Sequence, residues 1–230
     1  MPDLDQGVRL SGVRGLIARR MSDSLTQAAQ LSFHASVDAS DALAQVEAAR
    51  GHGHPVTLED IAAWSYVRCL STHLNFNGVI KDNTFFSNKS IHLGVALGVG
   101  DHLLVGVIRD AESLVIEQLA EARRALVRDA REGKLTPDKM RDGTSTISNL
   151  GPGRTESFTP ILNPPQVALL GLCTVRKKAW VTEDGSIDVR PVMGVSLTVD
   201  HRWIDGAPAN SFLANFCSEF ESVRSDRGLL

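Results

Sequence analysis

A histidine and an aspartate four residues apart close the run Thr198-Val199-Asp200-His201-Arg202-Trp203-Ile204-Asp205-Gly206-Ala207, where an apolar strand enters a turn. An unperturbed imidazole titrates at about pH 6.5, so a histidine there can take a proton near neutral pH. A nearby carboxylate can fix the ring or the turn that carries it. Together they are the minimum equipment for general-base activation of a thiol or hydroxyl. Spacing alone is a weak signal, because His-x-x-x-Asp arises by chance. A second polar signature, Gly143-Thr144-Ser145-Thr146-Ile147-Ser148-Asn149-Leu150-Gly151, places Ser148 53 residues before His201. Serine and asparagine at a strand end, followed by glycine, can present a hydroxyl and backbone N–H groups to an oxyanion. Taken alone, those residues also describe an ordinary strand end with a glycine turn.

Apolar periodicity supplies the elements that must carry these groups. Val13, Leu16, Ile17, Met21 and Leu25 predict a helix over 13–28. A short strand is expected over 33–38, then a helix over 39–50 with Ser40 or Asp41 as its cap. Thr57 is an N-cap, with Asp60 in the first turn of a largely buried helix reaching about Leu74. Ile91, Leu93, Val95, Leu97 and Val99 alternate as a strand, and a turn at 100–102 leads into Leu103–Ile108 as a hairpin. A helix is expected over 112–132, closed by Gly133. Strands are expected at 144–148, 167–172, 176–181 and 187–189, the last two joined by Asp184-Gly185. A further alternating strand, from Met193 to Asp200, delivers His201. Pro208 suits the start of a closing helix with Phe212, Phe216 and Phe220 on one face. Without a regular strand–helix–strand alternation, this is an α+β layer fold with a mixed, largely antiparallel sheet.

Bulk properties narrow the function. The chain has 230 residues, is 43% hydrophobic and carries a formal net charge of -3. One domain with a single large core is the economical reading. Lys and Arg are scattered, which argues against nucleic acid. No apolar run reaches the roughly 18 residues of a membrane span, and residues 1–7 do not read as a secretory signal. Cys69, Cys173 and Cys217 read as reduced core residues of a cytoplasmic-type protein. His52 and His54 read as a solvated loop rather than a metal pair, and no metal site is expected. Arg123, Arg124, Arg128 and Arg131 are expected on the solvated face of their helix.

Three segments then bring a resemblance. They are Thr146-Ile147-Ser148-Asn149-Leu150-Gly151, the stretch from Phe158 to Gly171, and Asp200-His201-Arg202 with Ile204-Asp205-Gly206-Ala207. In this order they resemble the catalytic core of the dihydrolipoamide acyltransferases, the E2 components of 2-oxoacid dehydrogenase complexes. Chloramphenicol acetyltransferase shares that fold, a two-layer sandwich. The likeness extends upstream to Ser11-Gly12-x-Arg14-x-x-Ile17-Ala18-x-Arg20-Met21 and to the hairpin with Leu93-Gly94-Val95-Ala96 and Val107-Ile108-Arg109-Asp110.

The resemblance implies acyl transfer between dihydrolipoamide and coenzyme A. His201 would be the general base on the CoA thiol, and Ser148 the donor to the tetrahedral oxyanion. Asp205 would hold the His turn through an ion pair with Arg14. Asn149 and Trp203 would contact substrate. It further implies a homotrimer, with His of one subunit facing Ser of the next, and trimers that build into cages. A lipoyl-bearing subunit and the E1 and E3 components would be partners. The location would be the cytoplasm, or the mitochondrial matrix in a eukaryote. Residues 1–8 read as a tail and 9–230 as the acyltransferase domain, with no lipoyl or peripheral-subunit-binding domain. The lipoyl group would then come in trans or from a missing domain. Asp138-Lys139-Met140 is expected to be a helix-loop segment rather than a lipoyl-lysine site. Departures from the family pattern fall at Ala29-Gln30, Gly106, Arg141-Asp142, Pro152-Gly153-Arg154 and Trp203. They bear on the acyl pocket and the CoA contacts. A stand-alone acyltransferase for a small diffusible acceptor, or an inactive structural core, are the alternatives.

Overall fold

Alternation of side chains decides the central layer. In a computed structural model describing residues 7, 9–100, 102–182 and 184–223, six strands form one sheet in the order β1-β8-β7-β6-β4-β5. They are β1 (Gln30–Asp38), β4 (Leu93–Val99), β5 (His102–Ile108), β6 (Ser145–Asn149), β7 (Ala168–Val181) and β8 (Ile187–Asp200). The β4–β6 and β6–β7 pairs are parallel and the others antiparallel. Val37, Val95, Ile147, Leu170, Val195, Leu197 and Val199 form the buried face, because side chains two apart share a face.

Four helices cover that face: α2 (Ser40–Gly51), α3 (Leu58–Thr72), α4 (Ile116–Arg131) and α5 (Gly206–Glu221). The phenylalanine stripe of α5 is fully buried, and Phe212 and Phe216 meet Tyr66 of α3 edge-on. Helix α1 (Gly12–Gln27) contributes no residue to the hydrophobic core, and its Ser24 donates to the Leu162 carbonyl at 2.8 Å. The α+β, mixed-sheet architecture is therefore the expected one.

Several boundaries differ for local reasons. The cap of α2 is neither Ser40 nor Asp41. The Asp38 carboxylate accepts from both the N–H and the hydroxyl of Ser40, at 2.9 and 2.6 Å, and does the capping from outside the helix. The four C-terminal strand segments merge into two long strands. An irregularity between Leu172 and Val175 keeps β7 continuous. Pro191 is tolerated within β8 because its carbonyl already faces Ala39 N–H, so its ring nitrogen points past the end of the β1 ladder. The helix expected from 112 starts at Ile116, behind a short 3-10 turn over Ala111–Ser113. A hairpin that sequence reasoning missed joins β2 (Gly78–Lys81) to β3 (Thr84–Ser87). Its two turn residues, Asp82 and Asn83, have φ of 48° and 57°, as a type I′ turn demands. The signal was there: Asp-Asn between Val79-Ile80 and Phe85-Phe86.

Candidate active site

His201 is presented by the end of β8. The strand stops at Asp200, the chain turns, and α5 begins at Gly206 with Asp205 as its N-cap residue. The His201 N–H donates to the Ala29 carbonyl at 2.8 Å, tying the turn to the start of β1. Its imidazole is 43% exposed, with Nδ1 3.5 Å from the Asp205 carboxylate. Its Nε2 makes no hydrogen bond or ion pair to a described residue. Asp205 is 83% exposed, and the partner it faces is His201 rather than Arg14, which lies on the exposed side of α1.

The anchor of the turn is Asp200. It is buried and takes the Arg202 guanidinium at both oxygens, Nη2 at 2.6 Å and Nε at 3.0 and 3.1 Å, plus the Arg202 N–H at 3.1 Å. Those hydrogen bonds hold the guanidinium above the usual arginine range, against partial desolvation.

Ser148 sits on β6, on the face of the sheet away from the helices. It is half-buried, and its hydroxyl makes no hydrogen bond to a described residue. Asn149, expected at the substrate, is engaged within the chain. Its Oδ1 accepts from Gly151 N–H at 2.7 Å and its Nδ2 donates to Glu59 at 3.0 Å. A Cβ on Gly151 would lie 2.8 Å from Asn149 Oδ1 and 3.1 Å from the Cys173 carbonyl, so this turn needs glycine.

Trp203 turns its indole N–H to the Asn75 carbonyl at 3.1 Å and stacks on Phe85 of β3 at 4.2 Å between ring centroids. The missed β2–β3 hairpin is therefore what holds the side chain next to the His turn. The ring remains 47% exposed, with its polar atom already used.

Strand register separates the two halves of the signature. Ser148 stands opposite Gly171, and Gly171 opposite Ser196. His201 lies five residues beyond Ser196. At about 3.3 Å per residue and about 4.8 Å per strand spacing, the two residues are about 19 Å apart within one chain. A single chain cannot bring both to one reacting carbonyl.

One expectation fails outright. Arg123 is not solvated: only 9% exposed, it joins Asp60 through Nε at 2.5 Å and Nη2 at 3.1 Å, and reaches Glu59 at 3.4 Å. Desolvation works against its charge, but the Asp60 and Glu59 carboxylates outweigh it and raise its pKa. The polar-face reading missed this because its partners belong to α3, remote in sequence. The thiols are not rival nucleophiles. Burial pushes Cys69 up to about 12, Cys217 up to about 11, and Cys173 upward as well. A surface groove of about 730 Å³ between α3 and α5, lined by Arg68, His73 and Asn215 among others, touches neither His201 nor Ser148.

Residues 2–225 match the family described as 2-oxoacid dehydrogenases acyltransferase (catalytic domain). The chain belongs to this family. It is 33% identical, over 90% of its length, to the dihydrolipoyllysine-residue acetyltransferase component of the acetoin cleaving system of Bacillus subtilis, covering 53% of that protein. It is 34% identical, over 94% of its length, to the dihydrolipoyllysine-residue succinyltransferase component of the 2-oxoglutarate dehydrogenase complex of Rickettsia typhi, covering 56% of it. The chain thus spans about half the length of these curated relatives.

Among solved structures, Azotobacter vinelandii dihydrolipoamide acetyltransferase superposes with a TM-score of 0.89 at 27% identity, covering 100% of this chain and 98% of that one. That work concerned a serine, a histidine and an asparagine in its catalytic mechanism, the last two spaced by four as His201 and Asp205 are. The cubic core of a pyruvate dehydrogenase multienzyme complex gives 0.89 at 26% identity, with 100% and 98% covered. Chloramphenicol acetyltransferase shares the fold, with a TM-score of 0.53 at 15% identity over 84% of this chain and 83% of that one.

Proposed function

We propose that this chain transfers an acyl group between dihydrolipoamide and coenzyme A, as the core of a 2-oxoacid dehydrogenase complex. The site forms between subunits of a homotrimer. The separation of His201 from Ser148 carries this reading. Both residue types fit thioester chemistry, yet one chain holds them about 19 Å apart. A cyclic assembly brings His201 of one subunit to Ser148 of the next. Leu10, Val13, Leu16 and Leu25 leave an exposed apolar stripe on and before α1, which suits burial against another copy.

The steps follow from the groups. His201 Nε2 takes the proton of the CoA thiol. A thiol of pKa about 8.5 is mostly protonated at neutral pH, so a positioned base is worth about 10²–10⁴-fold. The thiolate attacks the carbonyl of the acyl-dihydrolipoamide thioester. Ser148 of the neighbouring subunit donates its free hydroxyl to the oxyanion. Collapse breaks the bond to the dihydrolipoamide sulfur, which recovers the proton from His201. Asp205 faces Nδ1 of the same ring at 3.5 Å. The lipoyl group arrives on a carrier domain or subunit outside residues 9–223, loaded by E1 and reoxidised by E3.

Steady-state turnover of free dihydrolipoamide with a panel of acyl-CoAs tests the reading, with the assembly state read by light scattering. Absence of turnover with every donor, in an assembled trimer, would refute it.

A further inference from the structure

At Ser148, β6 is supported unequally on its two sides. Towards β4 the ladder ends at the Val95–Ile147 pair. Towards β7 it runs on through Ser148–Gly171 and Asn149–Leu172. The backbone that aims the Ser148 hydroxyl thus has a strand partner on one side only. The other restraint is the Asn149 side chain, which bridges Gly151 N–H and the carboxylate of Glu59. Glu59 lies in the first turn of α3, mostly buried and 3.4 Å from Arg123. Arg123 is in turn locked onto Asp60 and Thr57, whose capping box fixes the start of that helix. The chain of contacts runs from the rigid helix layer to the last residue of β6.

We propose that Glu59 is a positioning residue for Ser148. By accepting from Asn149 it holds the free end of β6 at the angle at which the serine hydroxyl meets the oxyanion. This rests on the acyltransferase reading and deepens it. The acting feature is the acceptor oxygen at 3.0 Å from Asn149, not the charge that Glu59 shares with Arg123.

Two near-isosteric variants separate those roles. Glu59→Gln keeps an acceptor oxygen at the same reach and gives up the charge. Glu59→Asp keeps the charge and withdraws the acceptor by one methylene. In assembled enzyme, Glu59→Asp is expected to lower kcat about tenfold, a fraction of the 10²–10³ lost with a whole oxyanion donor. The KM values for CoA and dihydrolipoamide should stay as they are, because the serine acts on the oxyanion rather than on bound substrate. Glu59→Gln should retain most of the rate. Combined with Ser148→Ala, Glu59→Asp should slow the enzyme no further, since it acts through that hydroxyl.

The reverse pattern, with Glu59→Gln impaired and Glu59→Asp normal, would overturn the inference. So would an additive loss in the double variant. An inactive wild type would instead overturn the acyltransferase reading, and this inference with it.

Discussion

Mixing two inactive variants measures where the site is. Ser148→Ala removes the proposed oxyanion donor and His201→Ala the proposed base. Each homotrimer alone should fall by about 10²–10³-fold and 10²–10⁴-fold respectively. In a one-to-one mixture, unfolded and reassembled together, each interface draws its His-bearing and Ser-bearing sides at random. An intact pair needs the His side from a Ser148→Ala chain and the Ser side from a His201→Ala chain. One half times one half restores about a quarter of wild-type activity, far above either parent. The magnitude follows from the register: with the groups about 19 Å apart in one chain, every working pair must cross an interface. If both groups served one site from the same chain, mixing would restore nothing. A mixture that stays at the parental level, with mixed trimers confirmed by native mass spectrometry, would refute the shared site.

Arg123→Ala should destabilise the fold by about 3–5 kcal/mol, because it strands the fully buried Asp60 carboxylate without its ion partner. Urea unfolding followed by circular dichroism reads this as a lower midpoint, and a loss under about 1 kcal/mol would show that the pair is solvated after all. Asp38 supplies a pH-dependent part of stability. Burial alone would raise its pKa, but hydrogen bonds from Ser40 and the Arg190 guanidinium hold it below the usual carboxylate value. A depressed carboxyl stabilises the fold above its unfolded pKa of about 3.9, and the contribution is lost as pH falls through the folded value. Asp38→Asn should therefore lower Tm at pH 7, with the gap to wild type closing only as pH falls below the folded value. The native thiols should react sluggishly with a disulfide reagent at pH 8 and rapidly once the chain is unfolded, since burial raises all three. Fast labelling of the native protein would contradict that environment.

What one chain segment can encode was legible without coordinates. Alternation from Met193 to Val199 marked the strand that delivers His201, and that strand exists. The Thr57 and Asp60 pair marked the start of α3, and the capping box forms. Gly133, at φ 68°, closes α4 as its position after the helical pattern required. The order of the Ser148 and His201 motifs along the chain pointed to the family. These signals are local in sequence, governed by side-chain period and backbone preference.

Partnership between distant segments was decided only by tertiary structure. That Asp200 rather than Asp205 anchors the turn depends on which carboxylate the end of β8 buries. Arg123 left the solvent because α4 packs on the start of α3. The indole of Trp203 is held by a hairpin more than a hundred residues earlier in the chain. The separation of Ser148 from His201 follows from strand order and register, set by the burial of one sheet face as a whole. The sequence by itself determined the family and the order of the Ser148 and His201 motifs along the chain. The sheet decided that one chain holds those two residues about 19 Å apart.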